Sequence, residues 1–315
     1  MKMTQIYALP FLTMMMSASL QAQTENNISW ALSDSNLTQT LSLVPKANPP
    51  TEMTQLLRQT YFEVDNDKVT THKKVVNFFP RFVDAENHGS HSIYYNPNYQ
   101  RVRIIAAASV TPEGKTKHVD PSSIQLLDTN EYNTFSSEKE VVLVIPGLTE
   151  GSISVLEYEM VTQRDRMESD WSEEIFTQGN YPIQQFKLNV TWKDSNPINW
   201  VADTDDVKCE QQSNSLFCQG TDLPSYQSDY RAYWRDHIGR ISIGTFQNWN
   251  QVIDKASNAM AKANKNTEGL APLLESLTEN TLSVADSIAN ILDFVSRDIR
   301  YVSMSEYGNA MTPHT

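Results

Sequence analysis

The chain has 315 residues, a formal net charge of -13, 39% hydrophobic residues and two cysteines. The acidic excess argues against a nucleic-acid-binding protein, because a surface that follows phosphates needs clustered Lys and Arg, and the sequence has no such cluster. The acidity favours solubility and is compatible with a cationic partner, but it names none.

The N-terminus has the layout of a secretory signal peptide. Lys2 precedes an apolar stretch over residues 6–16, which is too short for a bilayer span of roughly 20 residues, and a polar exit follows. We predict a signal peptide over residues 1–22 with cleavage after Ala22. The rest of the sequence has no second long apolar run, so we expect an exported protein, periplasmic or secreted, without a transmembrane helix in the mature chain.

Residues 23–50 are polar and end in Pro49 and Pro50, which predicts a loosely ordered arm and linker. Short segments with β periodicity then alternate with turn residues. The predicted strands cover residues 55–64, 68–79, 92–95, 101–110, 140–145, 153–161 and 185–192. We therefore predict a mainly β fold, α+β overall, with an antiparallel two-layer β-sandwich over residues 51–245.

From residue 246 the apolar periodicity becomes helical, and residues 246–315 are predicted as a C-terminal helical segment. A first helix has apolar residues at Phe246, Trp249, Ile253 and Met260, and a second covers residues 270–277. A third helix is capped by Ser283, and Ile288, Ile291, Leu292, Val295 and Ile299 form its apolar stripe. This stripe should be buried, and its cover must come from the β domain or from residues outside this chain.

Cys209 and Cys218 bracket a short polar stretch. In an oxidising compartment this pair predicts a hairpin disulfide that stabilises the fold by about 2–3 kcal/mol. A free catalytic thiol at Cys218 is disfavoured, because no neighbouring His, Arg or helix N-terminus is indicated that would lower its pKa. A metal site at this pair would need more ligands than the segment supplies.

Other candidate sites are weaker. His88 and His91 have metal-like spacing but no third ligand, and residues 203–206 resemble the start of a calcium loop without its glycine and closing Glu. We interpret both segments as polar loops, and we predict no metal, no cofactor and no catalytic residue. A dense aromatic patch that could stack on sugar or peptide consists of Tyr226, Tyr230, Tyr233 and Trp234.

Four segments taken in order resemble an exported bacterial domain of uncharacterised function that precedes transglutaminase-like cores. They are residues 93–114 with Ala108, Val110, Pro112 and Gly114; residues 142–158 with Gly147 and Gly151; Trp171 through Trp192; and residues 291–301 ending in Arg300-Tyr301. The resemblance implies a β-sandwich front module and a cysteine enzyme core with Cys, His and Asp. None of those three residues can be placed here, because the chain ends before the expected Gly-Asp-Cys segment, and the insertion with Cys209 and Cys218 departs from the family pattern.

We therefore expect a non-catalytic exported binding or scaffolding module of the type that accompanies transglutaminase-like cysteine enzymes. Its partner would be a protein, a peptide or the cell wall. One alternative is the N-terminal fragment of a periplasmic transglutaminase or cysteine protease whose catalytic residues lie beyond residue 315. Another is a glycan- or cell-wall-binding domain that uses the aromatic patch.

Overall fold

The computed structural model describes residues 27–32, 36–129, 137–164, 170–193, 198–227, 231, 233–265, 267 and 269–299. The strands, numbered β1 to β15 in chain order, are Ile28–Trp30, Thr54–Val64, Lys68–Phe79, Ser90–Tyr95, Gln100–Val110, Thr116–His118, Gln125–Asp128, Lys139–Val144, Ser152–Gln163, Ser172–Phe176, Ile183–Trp192, Asn199–Asp203, Lys208–Gln212, Ser215–Leu223 and Arg240–Gly244. The helices, α1 to α4, are Phe82–His88, Trp249–Ala263, Leu270–Thr278 and Val284–Arg297. The mainly β character and the C-terminal helical segment are confirmed.

A mixed sheet of nine strands, counted over the described residues, forms the centre of the β region. Its order is β1-β5-β9-β3-β2-β11-β14-β13, with β6 paired to β5. The pairs β1–β5 and β2–β11 are parallel. The predicted antiparallel two-layer sandwich is therefore not confirmed, since local alternation predicts a strand but carries no information on the direction of a partner more than a hundred residues away.

Two three-stranded antiparallel sheets, β4-β8-β7 and β10-β15-β12, pack against the main sheet. One apolar cluster joins Ile104 and Tyr158 of the main sheet to Ile93 and Leu143 of the first small sheet. A second cluster joins the main sheet to the other small sheet, and in it the rings of Phe62 and Trp171 meet edge to face at 5.2 Å. Each small sheet therefore has its own apolar core against the main sheet.

The segment predicted as a loosely ordered arm takes part in the fold. Ile28–Trp30 forms β1 at the edge of the main sheet, and a 3-10 helix covers Thr38–Leu43. Leu37 is 2% exposed and packs with Val76 and Val155 in a third apolar cluster, against which Leu41, Leu43 and Val44 are also packed. These four apolar side chains explain why the segment is ordered although most of its residues are polar. The free energy gained by burying them outweighs the entropy lost in ordering a short segment.

Helix α1 was not predicted, because residues 82–88 have only one turn of apolar periodicity. Asp84 starts the helix by accepting a hydrogen bond from the backbone N–H of Arg81 at 3.2 Å, and it also pairs with the Arg81 guanidinium at 2.6 Å. Ala85 of α1 then packs on Phe79 at the end of β3. Among the described residues no helix is long and apolar enough to cross a membrane.

Candidate functional site

The three C-terminal helices begin where the sequence supplies caps. The Asn248 side chain accepts a hydrogen bond from the Gln251 N–H at 3.0 Å, and Ser283 accepts one from the Asp286 N–H at 3.2 Å. Gly269 precedes α3 with a φ of +83°, a left-handed conformation that favours glycine. The start of each helix is thus set by a residue that directly precedes it in the sequence.

Helix α4 presents an uncovered apolar face formed by Ile288, Leu292 and Val295, and Ile299 follows just beyond the end of the helix. We call these four residues the α4 stripe. Ile288 is 60% exposed and Leu292 is 66% exposed. The expected burial of the stripe is therefore not found among the described residues, where only Ile291 of the predicted set is half-buried. Contiguous exposed apolar surface of this kind marks an interaction site in folded proteins.

Helix α3 contacts a different side of α4 and leaves the stripe free. The Asn290 side chain donates to the Leu277 carbonyl at 3.0 Å, and the hydroxyls of Thr281 and Ser287 lie 2.7 Å apart. On the helical wheel, position 290 lies opposite the stripe and position 287 lies well to one side of it. The α3–α4 hairpin therefore holds its own geometry while the stripe remains accessible.

Helix α2 is anchored to the β domain through one aspartate. Asp170 accepts from Lys255 Nζ at 2.6 Å and from Gln251 Nε2 at 2.9 Å. The apolar residues Trp249 and Ile253 stand away from this anchor, and Trp249 is 81% exposed. Helix α2 thus adds a second apolar surface whose cover is not found among the described residues.

The predicted disulfide is present. Cys209 of β13 and Cys218 of β14 are directly paired across the two strands, with an S–S distance of 2.04 Å and a Cα–Cα distance of 4.0 Å. Both cysteines of the chain are in this bond. The chain therefore has no free thiol that could act as a nucleophile.

The structure divides the predicted aromatic patch. Tyr233 is 61% exposed, and its ring centroid lies 6.3 Å from that of Trp234. Trp234 packs on Phe176 at 5.3 Å, and the Arg235 guanidinium lies 4.9 Å from its centroid. Tyr226 is half-buried and its N–H donates to the Gly179 carbonyl, while Tyr230 lies outside the described residues.

Ion pairs fix the residues next to Trp234 in the aromatic patch. Arg235 forms an ion pair with Glu174, and Arg240 reaches Glu174 at 3.7 Å and Asp203 at 3.4 Å. The Arg240 guanidinium also donates to the Arg235 carbonyl at 2.7 Å. Trp234 is thus held as a packing residue with one ring face occupied by a cation, and Tyr233 is its exposed neighbour.

Titratable groups cluster on the polar face of the main sheet. Glu157 of β9 accepts from His72 Nε2 at 2.9 Å and from Lys74 Nζ at 2.8 Å. The hydrogen bond from His72, helped by Lys74, lowers the pKa of Glu157 from 4.5 to about 2. Arg103 and Glu159 form the next pair across β5 and β9 at 3.1 Å. Ordinary ion pairs account for this cluster, and no nucleophile is bonded to it among the described residues.

A serine and a histidine meet in the interior. His91 Nε2 lies 3.2 Å from the Ser154 hydroxyl, and burial lowers the pKa of His91 to about 4, so its ring is neutral at neutral pH. Ser154 is completely buried. A nucleophile must reach its substrate, so we interpret this contact as the satisfaction of two interior polar groups.

Two further charged residues, Arg58 and Glu173, are half-buried. Arg58 donates to the carbonyls of Phe176 and Gln178 at 3.0 and 3.2 Å, and burial lowers its pKa to about 10. Burial raises the pKa of the Glu173 carboxyl, while Lys73 opposes that shift. Arg58 therefore joins β2 to the chain that follows β10 and holds the second small sheet in place.

The segment with His88 and His91, interpreted from the sequence as a polar loop, is instead the junction of α1 and β4. His88 ends α1 and bonds the Tyr181 hydroxyl at 2.8 Å, whereas His91 belongs to β4. Asp203, Asp205 and Asp206 line an open acidic cavity of about 360 Å³ with Asp236. No group of three or more His, Cys, Asp or Glu with metal-binding geometry occurs in the part of the chain that the structure describes.

Sequence reasoning placed the candidate binding surface in the aromatic patch and missed the larger apolar surface on α2 and α4. The signal was available, because the α4 stripe was predicted without a complementary strand to cover it. Periodicity identifies the apolar face of a helix, but it does not say whether that face is buried within the same chain.

The chain is similar to known proteins in sequence family and in fold. A family model described as a domain of unknown function with a solved structure, DUF3857, matches residues 65–225. No match is found among curated proteins.

Solved structures share the fold of this chain. One of them is a crystal structure of a "putative protease" from Parabacteroides distasonis, with a TM-score of 0.67 and 15% sequence identity. The similarity covers 83% of this chain and 53% of that one, so this chain spans about half the length of the Parabacteroides protein.

Proposed function

This chain belongs to the DUF3857 family, and on that premise we propose that it is a non-catalytic exported module that binds a protease-type or transglutaminase-type cysteine enzyme domain. The uncovered α4 stripe is the observation that carries this proposal. Three exposed aliphatic side chains in helical register, followed by Ile299 after the helix, are unusual on a surface with no partner. Covering the exposed part of each would contribute about 1–2 kcal/mol to binding.

The choice of an enzyme domain as the partner is supported by the shared fold. The Parabacteroides protein contains about as much chain outside the shared region as within it, and it is described as a "putative protease". The present chain has both of its cysteines in a disulfide, so a cysteine nucleophile would have to come from the bound domain. Export is supported by the same disulfide, which persists in oxidising compartments.

The test is site-specific photo-crosslinking in the host that produces the protein. A benzoylphenylalanine at Leu292 probes the stripe, and one at Asp293, on the polar side of the same turn, is the matched control. We expect a cross-link from position 292 to a segment with a protease-type or transglutaminase-type sequence, identified by mass spectrometry, and none from position 293.

The identity of the cross-linked partner distinguishes an enzyme domain of the same protein from a second copy of this chain and from nonspecific capture. An intramolecular cross-link to such a segment would mean that the module and the enzyme are parts of one protein. A cross-link to a second copy of this chain, or equal capture from both positions, would refute the proposal. Thiol-dependent amide hydrolysis or acyl transfer by purified residues 23–315 would refute the non-catalytic assignment.

A second candidate is carbohydrate binding at Tyr233 and Trp234, favoured by the exposed ring of Tyr233 beside Trp234. Retention of the protein on insoluble peptidoglycan tests it. Replacing both residues by Ala should abolish retention if the rings stack on sugar, while Tyr94→Ala, which removes an exposed tyrosine from the other small sheet, should not. Equal retention of the two variants would reject a glycan site.

A further inference from the structure

The polar face of the main sheet carries a row of directly paired residues that crosses six neighbouring strands. Residues paired across adjacent strands point to the same face of a sheet. Phe186 and Leu188, on either side of Lys187 in β11, are buried towards the second small sheet, so the row lies on the opposite face. We call it the lysine row, and from β13 to β9 it consists of Lys208, Gln219, Lys187, Gln59, Lys74 and Glu157.

The lysine row is positively charged on an acidic protein. Lys74 pairs with Glu157 at 2.8 Å, whereas Lys187 and Lys208 are exposed and form no ion pair in the described part of the chain. Three lysines and one glutamate give the row a formal charge of +2, while the whole chain has a net charge of -13. The row is therefore a local surface that attracts an anion.

The lysines of the row are evenly spaced. They belong to β13, β11 and β3, and each is two strands from the next. Neighbouring strands are about 4.8 Å apart, so successive lysines lie about 10 Å apart. This distance is close to the length of one disaccharide in an extended β-linked polysaccharide.

A second row, two residues further along each strand, repeats this spacing with aromatic rings. Phe217 of β14 is 40% exposed, and Tyr61 of β2 is half-buried two strands away. Asn189 of β11 lies between them and is paired with both, and Glu210 of β13 is paired with Phe217 on its other side. Aromatic rings offer a flat apolar surface to a sugar, and amide side chains bond to hydroxyl groups.

The N-terminal segment covers only one end of this face. Leu37 packs on Val76 and Val155 there. The lysine row comes next along the strands, and its members in β11, β14 and β13 are all exposed. No described element therefore covers this half of the row.

We propose that this face binds a linear polysaccharide with one carboxylate per disaccharide. Its carboxylates would pair with Lys187 and Lys208, its rings would stack on Phe217 and Tyr61, and the glutamines of the row would bond its hydroxyls. The evenly spaced rings favour a sugar chain over an acidic peptide. The site is separate from the α4 stripe and from Tyr233, whose neighbour Trp234 packs on the second small sheet.

The test is the fluorescence anisotropy of a labelled hyaluronan hexasaccharide titrated with the mature chain at low ionic strength. Hyaluronan has one carboxylate per disaccharide, so this probe matches the three lysines. Unlabelled hyaluronan hexasaccharide, neutral N-acetylchitohexaose and hexaglutamate are the competitors. We expect the neutral sugar to compete about tenfold less well than hyaluronan, hexaglutamate to compete less well too, and added salt to weaken the binding.

Variants assign the binding to this face. Lys187→Gln and Lys208→Gln should each weaken hyaluronan binding about threefold, and together about tenfold. Phe217→Ala should weaken it about fivefold and leave hexaglutamate unaffected. Glu210→Gln removes a nearby carboxylate and should strengthen binding about twofold, while Lys262→Gln, on the exposed side of α2, should leave it unchanged.

Four results would overturn the proposal. They are no saturable binding of hyaluronan, equal competition by N-acetylchitohexaose, unchanged binding by the double lysine variant, and competition by hexaglutamate as strong as that of hyaluronan. Loss of hyaluronan binding in Lys262→Gln would also count against it, because the attraction would then be nonspecific. A urea midpoint equal to that of the parent protein shows for each variant that the fold is intact.

Discussion

Glu157 allows a quantitative test of the polar face of the main sheet. Its carboxylate accepts from His72 and Lys74, and its side chain is 18% exposed. A pKa lowered from 4.5 to about 2 corresponds to about 3 kcal/mol, at roughly 1.4 kcal/mol per unit. Because this face of the sheet is partly hydrated, we expect Glu157→Gln to lower the free energy of unfolding by about 1–2 kcal/mol near neutral pH.

The sign of the pH dependence follows from the lowered pKa. A carboxyl whose pKa is lower in the folded state contributes stability that is complete above its unfolded value of 4.5. This contribution is lost as the pH falls from 4.5 towards 2. The difference between the parent protein and Glu157→Gln should therefore be largest above about pH 5 and approach zero near pH 2.

The assay is urea unfolding followed by tryptophan fluorescence over that pH range. Glu159→Gln is the matched control, because Glu159 pairs with the half-exposed Arg103 on the same face and should change stability by less than about 1 kcal/mol. A Glu157→Gln difference that stays constant down to about pH 2, or that is absent near neutral pH, would refute the assigned ion pair.

Three further predictions concern the disulfide, the N-terminal segment and the helices. Replacing Cys209 and Cys218 together by Ser should lower the free energy of unfolding by about 2–3 kcal/mol in urea, and a reducing agent should produce the same loss in the parent protein only. Leu37→Ala should lower the free energy of unfolding by about 2–4 kcal/mol, since Leu37 is buried against the main sheet. Ser42→Ala, on the exposed side of the 3-10 helix, should have little effect. Equal losses in the two variants would contradict the packing of this segment. Replacing Ile288 and Val295 together by Asp should change the stability of the isolated chain by no more than about 1 kcal/mol, because both side chains are exposed, and it should abolish the cross-link from position 292 to the enzyme domain.

The strands and helices were largely predictable because each depends on residues close in sequence. Alternation identified β3 and β9, and Ser283 identified the start of α4. The N-terminal segment was misjudged for the opposite reason. Its leucines occur among polar residues without a clear period. That they are buried follows only from the tertiary structure, in which Leu37 packs against Val76 and Val155.

The candidate surfaces were predictable only in part. The aromatic patch was found as a sequence cluster, but the contact of Trp234 with Phe176 and Arg235 depends on β10 lying beside β15.

By itself the sequence determined the mainly β character, the three C-terminal helices and the pairing of Cys209 with Cys218, since periodicity, caps and loop length act over about a dozen residues. Only the tertiary structure decided the parallel pairing of β2 with β11, the contact of His72 with Glu157 and the exposure of the α4 stripe. Each of these depends on which distant segments meet, and strand direction, ion pairing and burial are properties of the two partners together.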